Sequence, residues 1–150
     1  MNDFITKFPI SKEVVNIFEQ GLIEDKNVIV QMLEEYKFLT REQILNVLKT
    51  DTDYPFISLD DTHILKPFNS EVVYYCNESE AYVYIYGFTD ISCNVNRIEL
   101  QLSQYNVHFY RITPYNFRIL MIPHYAPTYD ALVLFKRILL EALKVHATDI

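Results

Sequence analysis

Apolar positions in the first third of the chain recur at helical spacing. Val14, Ile17 and Phe18 form one such face behind Ser11, a residue type suited to N-capping, and Gly21 is a natural helix stop. Ile29, Met32, Leu33 and Tyr36 fall at i, i+3, i+4 and i+7. Thr40 and Gln43 spell a T-x-x-Q capping box ahead of Ile44, Leu45 and Leu48. Three helices are predicted, the last two joined by a tight connection at Tyr36–Leu39. The first and third share a grammar: Ile10-Ser11-Lys12-Glu13 before Val14–Phe18 resembles Leu39-Thr40-Arg41-Glu42 before Ile44–Leu48. Capping chemistry alone yields such a match, so a tandem repeat and coincidence both stay open.

Acidic residues and Pro55 break this period between Asp51 and Asp61. Pro55-Phe56-Ile57-Ser58-Leu59 reads as short and extended. The pattern then changes to strands: Val72–Cys76 and Ala81–Phe88 are rich in Val, Ile and Tyr and flank a polar turn at Asn77–Glu80. Asn94 is placed to cap a helix carrying Val95, Ile98, Leu102 and Tyr105, and Val107–Ile112 is a further strand. Thr113-Pro114 opens a helix that is expected to end near Met121, before Pro123 and Pro127. Residues 123–128 read as a linker into a last helix with its stripe at Leu132, Phe135, Leu139 and Leu143. The fold class is α+β, a small helical module followed by a small mixed sheet with helices packed on it. The expected division is 1–52 helical, 53–122 sheet and helix, and 123–150 linker and helix.

Composition narrows the partners. The net charge is −7, and residues 1–61 carry 12 acidic and 6 basic side chains against 8 and 7 in the remainder. Such a chain repels nucleic acid and anionic lipid, so a basic patch on a partner protein is the better match. No apolar run approaches the ~20 residues that span a bilayer, and Met1–Ile10 lacks the apolar core of a signal peptide. Cys76 and Cys93, read as two free buried thiols, suit a reducing compartment. A cytoplasmic protein is expected, reaching a membrane only through a partner.

Twelve tyrosines accompany no tryptophan. Tyr82, Tyr84 and Tyr86 alternate with Ala81, Val83 and Ile85, which puts the rings on one sheet face. A half-buried face covered by a helix, its hydroxyls reaching water, explains them; a ligand-stacking platform is the other reading. Only Gly21 and Gly87 are present, so no G-x-x-x-x-G-K-[ST] phosphate loop exists in this chain. His63, His108, His124 and His146 pair with no other His or Cys at metal-ligand spacing, and no G-x-S-x-G elbow occurs. Glu34-Glu35 is read as a solvated helix face and Asp60-Asp61 as a loop. No catalytic, cofactor-binding or metal-ligating residue is assigned, and the chain itself is not expected to be an enzyme.

Ala142 to Ile150 reads A-L-x-x-x-A-T-D-I after the amphipathic stripe. This resembles the entry to the catalytic region of the hexameric ATPases of type II secretion and type IV pilus assembly, where I-L-x-x-A-[IL] runs into [GR]-A-[ST]-D-I-H. Ala147, Thr148, Asp149 and Ile150 match, while His146 stands where the family has Gly or Arg. Leu39–Leu45 is similar to the family's x-I-T-x-E-Q-L helix start, and Pro55–Leu59 to its P-[FY]-[VI]-x-L segment. Thr113–Ile119 stands where the family places the last helix of this region.

The resemblance implies a non-catalytic docking and regulatory region that binds the cytoplasmic part of an inner-membrane platform protein. It also implies a parent hexamer using ATP and Mg beyond residue 150. By that picture the acidic helical module docks, hinges lie at 51–55 and 123–127, and the final helix carries force to the ring. Some members bind cyclic di-GMP through a motif opening R-L-G. Leu33, Ile44 and Leu48 keep three of its Leu positions, but Asn27 or Val28 replaces the Arg, Val30 and Lys37 the two Gly, and Asp51 the Gln. A cyclic-dinucleotide regulatory module with a degenerate motif is the alternative reading.

Overall fold

A computed structural model describes residues 3–49, 52–60 and 65–125. Helix α1 spans Lys12–Gln20, with the Ser11 hydroxyl accepting from Val14 N at the cap. Helix α2 spans Lys26–Glu35 and is capped by Asp25, whose carboxylate accepts from the amides of Asn27 and Val28. Helix α3 spans Arg41–Leu48 and begins with the full capping box: Gln43 N donates to Thr40 Oγ1, and Thr40 N donates to Gln43 Oε1 at 2.9 Å. A short 3-10 turn at Ile5–Lys7, not foreseen from the sequence, precedes them. It supplies Ile5 to a core with Phe18, Ile29, Leu33, Ile44 and Leu48.

The sheet has four strands in the order β1 (Lys66–Asn69), β2 (Val72–Asn77), β3 (Glu80–Tyr86), β4 (Asn106–Ile112). The first two pairings are antiparallel, and β4 is parallel to β3. The turn of the β2–β3 hairpin is tighter than expected: Asn77 pairs with Glu80, so only Glu78 and Ser79 turn, with Glu78 at φ 53°. β1, which contains Pro67, was not foreseen. As the outermost strand, with a register shift between Pro67 and Asn69, β1 tolerates a residue that cannot donate to the ladder.

Helix α4 (Val95–Gln101) crosses over between β3 and β4, as a parallel pair requires. Asn94 stands before it without a side-chain capping bond, contrary to expectation. Its backbone is already in the right-handed helical region, at φ −112° and ψ −11°. An N-cap is extended when its side chain reaches forward to the helix amides. Ile98 and Leu102 pack on Ala81, Val83 and Ile85 on one sheet face. Helix α5 (Pro114–Tyr125) covers part of the other face, where Phe117 and Met121 meet Val73, Tyr84 and Ile112. It continues past Met121 through Pro123, so the expected 123–128 linker starts inside a helix. A proline inside a helix gives up one backbone hydrogen bond and crowds the carbonyl four residues earlier, here that of Ile119. The predicted final helix lies outside the described residues.

The segment expected to be extended, Pro55–Leu59, lies along β4. Arg111 N donates to Pro55 O at 2.8 Å and Ile57 N to Arg111 O at 2.9 Å, a parallel bridge centred on Phe56. This covers the outer edge of β4. Phe56 also joins the helical core, against which Phe88 packs. Among the described residues no helix is long and apolar enough to cross a membrane.

Candidate functional site

Three polar or aromatic assemblies are built where these elements meet. The first lies on the seam between α2 and α5. Glu34 is buried, and its carboxylate accepts from the Thr113 hydroxyl at 2.6 Å and from Arg41 Nε at 2.8 Å. Arg41 also donates to Ser58 Oγ at 3.0 Å. Thr113 is the N-cap of α5, accepting from Asn116 N, and Asn116 clasps the backbone of Leu59 through both ends of its amide. One turn along, Arg118 donates to Glu35 at 2.9 Å with both side chains largely buried. The expected solvated face at Glu34-Glu35 is therefore corrected: the neighbours do point in different directions, but each meets an arginine. The Glu34 carboxylate is tolerated in this low-dielectric seam because both of its oxygens are paired.

Tyr36 closes this seam. Its hydroxyl is buried with no hydrogen-bond partner. Burial, then the charge of Glu35, pushes its pKa up to about 12, against a smaller opposite pull from Arg118.

The second assembly is centred on Arg111, a buried residue of β4. Nε and one terminal nitrogen donate to the two oxygens of Asp53 at 2.9 and 3.2 Å. The other terminal nitrogen donates to the carbonyls of Gly87 and Thr89, both at 2.8 Å. Tyr54 stacks on Phe109 and lies 5.7 Å from the guanidinium. This geometry holds Asp53 below the usual carboxylate range, chiefly by the hydrogen bond from Arg111. The clamp satisfies the guanidinium from several sides and leaves it no role toward a ligand.

The third is the tyrosine face. Tyr75, Tyr82 and His108 stand opposite one another on β2, β3 and β4. Their rings stack at 6.4 and 5.4 Å with interplanar angles of 15° and 19°. Tyr84 and Tyr110 repeat the arrangement one row on, at 6.2 Å. Tyr86 in the following row meets Phe117 edge-on at 5.2 Å. The ring faces in the first row are turned to each other, which disfavours a platform that stacks a planar ligand between strands. Burial pushes the hydroxyls of Tyr84 and Tyr86 up from their ordinary value. His108 Nε2 lies 2.6 Å from Glu80 Oε2, so this histidine is hydrogen-bonded.

The remaining candidates separate. No group of three His, Cys, Asp or Glu side chains is arranged to hold a metal ion among the described residues. Both cysteines are free, but Cys93 is exposed and Cys76 half-buried, which corrects the expectation of two buried thiols. His63 and His146 fall outside the described residues. An open depression of about 490 Å³ is lined by Thr40, Arg41, Glu42, Leu45 and Ser58. Its one guanidinium is already engaged by Glu34 and Ser58.

At the positions of the dinucleotide motif, Val30 is fully buried and Asn27 Oδ1 accepts from Phe88 N at 2.7 Å. Lys37 is exposed, with its backbone at φ 62°. The buried arginines were the part of these assemblies that the sequence did not disclose. Thr113 was visible as a cap, but nothing local marks Arg41, Arg111 or Arg118 as turned inward. No match to this chain was found among protein-family models, curated proteins or solved structures.

Proposed function

We propose that this chain is the non-catalytic N-terminal docking and regulatory region of a secretion or type IV pilus assembly ATPase. The observation that carries the reading is the helical stripe running into Ala147-Thr148-Asp149-Ile150. Two further features support it: the capping box at Thr40 and Gln43, in the place of the family's helix start, and the extended Pro55–Leu59. In this reading the chain is cytoplasmic and docks on the cytoplasmic domain of an inner-membrane platform protein. ATP and Mg are used by the part of the parent that follows.

The acidic helical segment is the proposed docking surface. Glu13, Glu24 and Glu42 are exposed there, and Leu22 is 82% exposed at the α1–α2 turn. A basic patch on the partner would be steered to such a face and released by salt. The test is co-purification of the chain with the platform protein's cytoplasmic domain, followed by calorimetry. Glu13→Lys with Glu42→Lys is expected to weaken binding about tenfold, roughly 1.4 kcal/mol. Failure of the unaltered chain to bind removes the reading, and ATP hydrolysis by the chain itself contradicts it.

One observation favours the cyclic-dinucleotide alternative. Lys37 holds the left-handed backbone that the motif's glycine would supply. Against it, Val30 fills the position where the other glycine would admit the ligand, and no arginine stands near Asn27 in sequence to pair with phosphate. Calorimetry with cyclic di-GMP is expected to show no heat.

A further inference from the structure

Helix α1 closes through a pair of backbone bonds. Ile23 N donates to Phe18 O at 3.0 Å and Leu22 N to Glu19 O at 3.1 Å, the pattern that ends a helix on a residue in the left-handed region. Phe18 and Ile23 both belong to the helical core. The left-handed residue between them and the solvent is Leu22, at φ 53°, where glycine would sit without strain. Gly21 stands one position too early, at an ordinary φ of −77°. Helix α2 also ends on a left-handed residue, and there the side chain is the exposed Lys37. Closing a helix in this way therefore does not call for an apolar side chain. Packing does not call for one either, because Leu22 is 82% exposed. An exposed leucine alone is ordinary, as Leu100 is on α4, where helical backbone suits it. Leu22 is exposed and strained at once, and strain kept without local gain points to function.

The surroundings set the chemistry of what this side chain meets. From Glu13 to Asp25 the chain carries four acidic side chains and no Lys or Arg. Asp25 is engaged at the amides of α2, while Glu24 is exposed beside the turn. Glu19, three residues before Leu22, has its Oε1 enclosed with no hydrogen-bond partner among the described residues. A carboxylate so poorly solvated gains from a cation brought to it from outside. The backbone bonds on either side of Leu22 also fix where its side chain is presented, and an anchor held in advance loses little freedom on docking.

We propose that Leu22 is the anchor of the docking surface, entering an apolar pocket on the partner protein whose rim carries Lys or Arg facing Glu19 and Glu24. The inference rests on the docking reading above and adds the residue that carries the affinity and the shape and charge of the site that receives it. Stability given up at the end of α1 is thereby exchanged for binding.

Calorimetry of the 150-residue chain with the platform protein's cytoplasmic domain tests the anchor, alongside urea melts of each variant alone. Leu22→Gly is expected to bind about thirtyfold more weakly, the loss of one leucine's burial, while its melting midpoint rises. Leu22→Asn, polar yet tolerant of left-handed backbone, is expected to lose binding to a similar extent. Leu22→Met keeps the apolar volume and is expected to stay within about threefold of the unaltered chain. Leu100→Ala is expected to leave binding unchanged. If Leu22→Gly binds as tightly as the unaltered chain, the inference is overturned and the docking reading stands. If the unaltered chain does not bind, both are overturned. Equal losses for Leu100→Ala and Leu22→Gly would show general adhesion of exposed leucines, and a lowered midpoint for Leu22→Gly would show that the fold itself uses the side chain. Either result overturns the inference.

Discussion

Among single residues, the two glycines illustrate how backbone conformation decides the effect of a substitution. Gly21 ends α1 as expected, but at φ −77°, a conformation open to any residue, and the left-handed position is its neighbour Leu22, at 53°. Leucine there strains the backbone and, at 82% exposure, gains little by packing. Leu22→Gly is therefore expected to raise stability by about 1 kcal/mol in urea melts, strain relief outweighing the added freedom of the unfolded chain. Gly87 is the opposite case. It sits at φ 45°, and a Cβ would lie 1.9 Å from Asn27 Oδ1, the acceptor for Phe88 N. Gly87→Ala should cost about 2–3 kcal/mol, through backbone strain and a displaced, partly buried acceptor. Tyr36 offers a third case, because its buried hydroxyl has no partner. Tyr36→Phe should be neutral or stabilising by about 1 kcal/mol at neutral pH. In the unaltered chain a folded pKa of about 12, above the unfolded 10.0, means the folded state keeps a proton that the unfolded state has lost. That contribution is complete below pH 10 and disappears as pH rises through 12. Chemical melts across this range should show a decline that Tyr36→Phe lessens.

Among elements, what was legible in the sequence is what depends on neighbours along the chain. Capping is such a property, so Ser11, Thr40 and Thr113 were visible before any tertiary contact was known, and each accepts the expected amide. Thr40→Ala should cost about 1 kcal/mol, measurable as a lowered midpoint in thermal melts, since one helix-end amide loses its acceptor and the box is broken. Alternation along Ala81–Tyr86 likewise separated the two faces of β3 correctly, because side-chain direction in a strand is a local matter. The misreadings share the opposite property. β1 exists because β2 offers an edge, and Pro67 is admissible only at that edge. Asn94 fails to cap because its own backbone has already turned into the helical region. Glu34 and Glu35 are paired by arginines reached through tertiary contact, which no spacing rule on α2 could indicate.

At the scale of the whole molecule, the described helices and the sheet are joined by polar bonds as much as by apolar contact. Glu34 bonds to α3 and to the cap of α5, Arg118 on α5 bonds to Glu35, and Asn27 on α2 holds the Phe88 amide beyond β3. Phe56 sits in the helical core while its backbone is paired to Arg111 of β4. Opening the helical part away from the sheet would thus strip partners from several buried polar groups at once, each costing about 1–3 kcal/mol. Such a set of penalties, incurred together, favours a single cooperative transition over stepwise separation. Native-state hydrogen exchange in mild denaturant is expected to show the central amides of α2 and β3 merging into one opening event of common free energy. Glu34→Ala, which strands Thr113 and Arg41, should lower that common value by about 2–4 kcal/mol in both elements together. A lower-energy opening confined to residues 12–48, with β2–β4 still protected, would instead identify the α2–α5 seam as a separable joint. The polar seam would then be a release point between two independently folded parts.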